Sequence, residues 1–120
     1  MTLLGEECKI ETIEKSLLPY IYIINAKCEN FDLKMDIHEE VLIFEPNNII
    51  EFSISTDKPK CNTSTDFCGV GNVVSIKSDD VNKLIISIGG FILVLSSKSI
   101  DFTNKFKPLM KVYVKLSKKQ

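Results

Sequence analysis

The stretch LIISIGGFILVL, from Leu84 to Leu95, decides how the rest of the chain is read. It is almost wholly apolar, yet far shorter than the roughly 18 to 20 residues a membrane helix needs. Its β-branched residues favour strand, and Gly89-Gly90 divides it into two short pieces. Adjacent glycines weaken a strand interior, so the pair calls for a bulge, a barrel corner or the close approach of another backbone. Two readings compete for it: a side-chain-free docking patch flanked by Ile88 and Phe91, and a purely structural corner. Phosphate binding is excluded, since neither this pair nor Gly69 with Gly71 opens a helix.

Outward from this stretch, period-two patterning dominates. Phe31, Leu33, Met35 and Ile37 alternate with Asp32, Lys34 and Asp36, as in a half-buried hairpin strand. Upstream, Tyr20, Tyr22, Ile24, Ala26 and Cys28 form one strand face, and Ile21 and Ile23 make the other partly apolar. Before the break at Ser16 to Pro19, Cys8, Ile10 and Thr12 alternate with charges. Ile50, Phe52 and Ile54 resume the pattern, and Val70 to Lys77 returns through Ser78-Asp79-Asp80 to Lys83 to Ser87. Leu109, Val112, Val114 and Leu116 sit among lysines at the end. His38 to Phe44 fits one helical turn or a short strand, closed by Glu45-Pro46-Asn47-Asn48. Residues 55–66 read as a polar surface loop, and no internal repeat is visible. About seven or eight short strands with no long amphipathic helix predict one all-β domain over 1–120, a small barrel or sandwich.

A chain of 120 residues has room for one core, and 44% apolar with 26% charged residues excludes a disordered protein. A net charge of −1 gives no global field for nucleic acid or an anionic membrane. The charge is uneven, because seven lysines from Lys98 onward face only Asp101, giving that segment +6. All fifteen basic residues are lysine, so the bidentate fork of arginine is missing. Glu6 and Glu7 stand where an export signal needs basic residues, which makes a cytoplasmic location the expectation.

Cys8, Cys28, Cys61 and Cys68 form no CxxC pair, and with His38 the only histidine the chain lacks a zinc ligand set. Free thiols are expected, with Cys8 and Cys28 in the core. Cys61 and Cys68 are near enough to bridge the polar loop, but in an intracellular protein the reduced state is expected. Asp32 and Asp36 share a polar strand face with Lys34, which reads as a solvated or partner-facing edge. His38 with Glu39 and Glu40 lacks a nucleophile at any defined spacing. No catalytic, metal or cofactor site is expected.

Four segments in order, FDLKMDI at 31–37, IEFSIST at 50–56, SIGGFILVL at 87–95 and MKVYVKLSKK at 110–119, resemble RNA polymerase subunit 8. That is the small subunit common to eukaryotic nuclear polymerases, whose archaeal counterpart is also called the G subunit. The likeness runs from about Cys8 to Leu116. The loop at 55–66 is shorter than the long acidic insertion of the eukaryotic form, so the archaeal type is the closer match. The resemblance implies an antiparallel, OB-fold-like β-barrel on the outside of the polymerase, packed against its largest subunit and without catalytic residues. Lys34, Met35, Asp36, Gly89, Gly90 and Phe91 are the motif positions carried over as partner-docking candidates. The expected role is a non-catalytic structural subunit with weak or no direct nucleic-acid contact and none with membrane. The alternative is a stand-alone OB-type domain for single-stranded nucleic acid, with Tyr20, Tyr22 or Phe31 stacking on bases and the lysine-rich end tracking phosphates.

Overall fold

The computed structural model describes residues 1–119. Eight antiparallel strands close into a barrel in the order β1-β2-β3-β7-β6-β5-β8-β4. They are β1 (Thr2–Lys15), β2 (Ile21–Cys28), β3 (Asp32–His38), β4 (Ile49–Ser55), β5 (Asp66–Ser78), β6 (Asn82–Ile88), β7 (Phe91–Ser97) and β8 (Lys111–Lys119). Closure leaves no sheet edge running the length of the molecule. Alternation decides which side chains turn inward: Leu33, Met35 and Ile37 of β3 meet Ile50, Phe52 and Ile54 of β4 and Val112, Val114 and Leu116 of β8 in one apolar core. Among the described residues the helical segments are two 3₁₀ turns, Glu39–Val41 and Phe102–Asn104. Among the described residues no helix is long and apolar enough to cross a membrane. His38 caps the first turn, its Nδ1 accepting from the Glu40 amide at 3.1 Å, so the helical alternative for 38–44 holds. The second carries Phe102 into the core with Phe106, their rings 6.4 Å apart edge to face.

The architecture repeats although the sequence shows no repeat. Each half has a long strand, two shorter ones, a 3₁₀ turn and a closing strand. β1 pairs with β4 over Thr2–Lys9 and with β2 over Cys8–Lys15. In the same way β5 pairs with β8 over Asp66–Asn72 and with β6 over Asn72–Ser78. Just past each bend the register slips, leaving Glu11 and Val74 as unpaired bulge residues. The residue before each bulge is clamped by a proline turn. Ile10 donates to Asn48 O at 2.9 Å and accepts from Asn47 N at 2.8 Å; Val73 donates to Met110 O at 2.9 Å and accepts from Leu109 N at 2.8 Å. The turns Glu45-Pro46-Asn47-Asn48 and Lys107-Pro108-Leu109-Met110 are both of type II, with φ of 73° at Asn47 and 72° at Leu109. The halves share backbone geometry while their residues differ, which hides the repeat from a reading of residue types.

Gly89 and Gly90 are neither a bulge nor a barrel corner. Ile88 pairs with Phe91, so the two glycines are the whole loop of the β6–β7 hairpin, with φ of 59° and 92°. Two-residue hairpin loops of this hand need positive φ at both positions. The corner glycines are those of β5. A Cβ on Gly69 would lie 2.7 Å from Ile88 Cγ2, and one on Gly71 would collide with the Ser87 carbonyl oxygen.

The expectation of free thiols is overturned, because Cys8 is bonded to Cys28 and Cys61 to Cys68. The β1–β2 register sets Cys8 opposite Cys28 with Cα atoms 4.1 Å apart, and the 55–66 loop folds Cys61 back to within 6.4 Å of Cys68 on β5. Closing chain segments of these lengths stabilises by about 2–3 kcal/mol each in the chain-entropy account.

Asp66 anchors the same loop. It accepts from the Asn62 amide at 3.0 Å, the Ser117 hydroxyl at 2.6 Å and the Thr65 hydroxyl at 3.0 Å, with Lys115 Nζ 3.7 Å away. The Asn62 amide and then the Ser117 hydroxyl hold its carboxyl below the ordinary aspartate value against the opposing effect of burial. A depressed folded-state pKa contributes stability that is present above the unfolded value, about 3.9, and is lost as pH falls through the folded one.

Three variants have distinct expected outcomes in denaturant unfolding. Asp66→Asn lowers stability by about 1–3 kcal/mol at pH 7 and flattens the loss of stability between pH 5 and pH 2. Gly90→Val costs about 1–2 kcal/mol, whereas Gly89→Asn stays within about 0.5 kcal/mol because asparagine tolerates the left-handed region.

Candidate functional site

The six motif residues converge on the seam where the two halves meet through β3 and β7. The ladder there is short: Asp32 faces Ser96, Leu33 faces Leu95, Lys34 faces Val94 and Met35 faces Leu93, and then it stops. At the next step the Asp36 carboxylate replaces the backbone acceptor, taking the Ile92 amide at 3.3 Å. Beyond it the strands part. Ile37 and His38 stay paired with β2, and Phe91 pairs with Ile88 of β6.

Side chains divide by strand phase. Met35 points inward and is 1% exposed, so it packs the core behind the seam and offers nothing to a partner. Lys34 lies on the outer face and is exposed, and Asp36 beside it is half-buried. The loop brings in Gly89 and Gly90, both exposed, with the Gly90 amide donating to Ser87 Oγ at 3.2 Å. Phe91 is half-buried. Ile92, 37% exposed, completes the patch, and the sequence reading missed it. Its signal was the two-glycine loop: once Ile88 and Phe91 are paired, the outward phase of β7 follows as Ile92, Val94 and Ser96.

The patch offers one acid, one base, and an aliphatic and an aromatic edge beside the point where the ladder ends. That equipment suits protein recognition. Among the described residues no cluster of three or more His, Cys, Asp or Glu side chains is placed to hold a metal.

The residues expected to stack on bases do not form a platform. Phe31 is 3% exposed and packs edge to face on Phe52, with ring centroids 5.7 Å apart, which corrects its reading as a surface aromatic. Tyr22 is half-buried on β2, and Tyr20 stands in the β1–β2 turn stacked on His38 at 6.3 Å. Part of the lysine-rich end is engaged by the barrel itself. Lys119 bridges Glu7 at 2.7 Å and Glu51 at 3.1 Å, which raises its pKa above the ordinary lysine value, and Lys118 donates to Ile43 O at 3.4 Å.

Comparison with known proteins adds a family. A family model for the G subunit of DNA-directed RNA polymerase matches residues 3–119. The DNA-directed RNA polymerase subunit Rpo8 of Sulfolobus acidocaldarius is 35% identical over 117 residues, covering 93% of this chain and 95% of that protein. Rpo8 of Saccharolobus solfataricus is 29% identical over 101 residues, covering 79% and 76%. Among solved structures, the cytoplasmic molybdate-binding protein ModG overlaps 96% of this chain and 90% of its own at 11% identity, with a TM-score of 0.37.

Because the Asp36 carboxylate substitutes for a ladder acceptor, Asp36→Ala is expected to cost about 0.5–1.5 kcal/mol. Amide hydrogen exchange should quicken at Ile92 while Met35 and Leu93 keep their protection; unchanged exchange at Ile92 would contradict this role.

Proposed function

This chain belongs to the G-subunit family of DNA-directed RNA polymerase, and from that premise we propose that it is a non-catalytic structural subunit docked on the polymerase's largest subunit. The observation that carries the reading is the extent of the family match, which runs from β1 to the end of β8. The whole barrel is therefore the shared unit, and no single motif has to bear the inference. In this reading nucleotide addition belongs to other subunits, the chain supports assembly and stability of the complex, and its location is that of the polymerase, the cytoplasm.

Docking through the β3–β7 seam follows from its chemistry. Lys34 and Asp36 give orientation and exclude wrong partners, while Ile92 and Phe91 provide apolar contact beside the glycine loop, where a partner backbone approaches without meeting a side chain. The open end of the ladder accepts hydrogen bonds from an added strand. Burial of Phe31 weakens the stand-alone nucleic-acid reading by removing one of its stacking surfaces.

A tagged chain expressed in its source cells is expected to purify with the large polymerase subunits at equal stoichiometry. Lys34→Gln combined with Ile92→Thr should cut that recovery about tenfold, equivalent to ~1.4 kcal/mol, while the melting temperature of the free chain stays within about 5 °C of the native value. Oligonucleotide titration of the free chain should give micromolar or weaker affinity at physiological salt. A tagged chain recovered without the large subunits, or one binding single strands at nanomolar concentration, would sink the reading.

A further inference from the structure

The internal repeat of the barrel allows each outer position of one half to be compared with the same position of the other. Aligning Ile10 with Val73, the clamped residues, sets bulge residue Glu11 against Val74 and turn residue Asn47 against Leu109. It also sets the paired Glu7 and Glu51 against the paired Val70 and Tyr113. Glu45, which begins the first proline turn, corresponds to Lys107, and Asn48 to Met110. Every one of these positions in the first half carries an acid or an asparagine. In the second half the same geometry carries apolar side chains and a lysine.

The first half shows that the fold asks for nothing apolar there. Yet Val70 is 49% exposed, Val74 53% and Leu109 84%. Leu109 is also held at a φ of 72°, in the left-handed region that suits glycine or asparagine and not a branched aliphatic side chain. It thus combines an exposed apolar surface with an unfavourable backbone conformation, a pairing that marks functional positions. Lysines frame the strip. Lys105, Lys107 and Lys111 are exposed, and no carboxylate pairs with any of them among the described residues.

We infer that this outer face of β5 and β8, with Leu109 at its tip, is a second docking surface, and that its occupant is an acidic protein segment presenting an apolar cleft. These lysines meet no carboxylate of the described residues, although Lys105 donates to Leu3 O at 3.2 Å and Lys111 lies over the Tyr113 ring, so their charge selects for acid; an aliphatic side chain at a turn tip fits a cleft better than a base stack. The absence of arginine further disfavours nucleic acid. In the barrel order this face lies three strands from the β3–β7 seam, so both surfaces can be occupied together.

The test rests on the polymerase reading for its setting. A photo-cross-linking phenylalanine analogue is placed at position 109, or at the repeat-equivalent position 47, in a tagged chain purified with the polymerase. Position 109 is expected to give a cross-linked peptide rich in Asp and Glu, at least about fivefold above position 47. In parallel, Leu109→Asn is expected to raise the melting temperature of the free chain by about 2–5 °C, yet to lose about tenfold to the native chain when both compete for incorporation. A residue with only a structural role would not lose incorporation while gaining stability. Equal incorporation, cross-linking from 109 only to nucleic acid or to a second copy of this chain, or equal yields from both positions would overturn the inference. If the native chain is present in the polymerase and position 109 is silent, this inference alone fails; if the native chain is absent, both fail.

Discussion

Barrel closure depends on two strands that change partners midway. β1 and β5 each leave one neighbour for another within a few residues, at Cys8–Ile10 and at Gly71–Val73. A backbone that bends so sharply would strand its own amides. Here a one-residue bulge takes up the excess chain, and a type II proline turn returns two hydrogen bonds to the residue before it. Small side chains are required where the bend is tightest, hence Gly69 and Gly71 beneath Ile88 and Ser87. With both bends fixed, β2 and β3 follow β1, and β6 and β7 follow β5, as local hairpins.

Much of this was legible in the sequence because alternation reports burial directly. Phe31, Leu33, Met35 and Ile37 read as one buried face and are one, since the core covers β3 on a single side and its polar residues lie on the other. Alternation says nothing about register, however. Whether Cys8 meets Cys28 depends on how far β1 slides along β2, and the reduced-thiol expectation failed there. Gly89-Gly90 failed as a corner for a related reason: residue types divide the run into two pieces but do not say that the pieces pair with each other across a two-residue loop. The β2 face read as Tyr20, Tyr22, Ile24, Ala26 and Cys28 holds at Ile24 and Ala26, whereas Tyr20 is exposed, Tyr22 is half-buried and Ile21, read onto the other face, is buried. Of the candidate site, strand phase placed Lys34 and Asp36 correctly on an outer face. The Asp36–Ile92 hydrogen bond joins residues 56 apart in sequence and left no local trace.

The two outer faces differ in how they meet solvent, and the difference is chemical before it is functional. In the first half carboxylates dominate, and Glu7 and Glu51 are met by Lys119 reaching over from β8. In the second half Val70 lies against Tyr113, with Lys111 Nζ 5.5 Å above the ring centroid. Exposed ion pairs of the first kind contribute little to stability and much to solubility. The second kind of face is more stable when covered.

Each disulfide lies wholly inside one half, Cys8–Cys28 in the first and Cys61–Cys68 in the second. Neither crosses the β3–β7 or the β4–β8 seam. Oxidation therefore shortens the conformational search within each half but leaves the search between halves untouched. The two seams join residues about sixty or more positions apart, as in Met35 with Leu93 and Phe52 with Leu116. Loop-closure entropy is therefore greatest at the two seams, and it is there, not within the cross-linked halves, that the chain's long-range contacts slow folding.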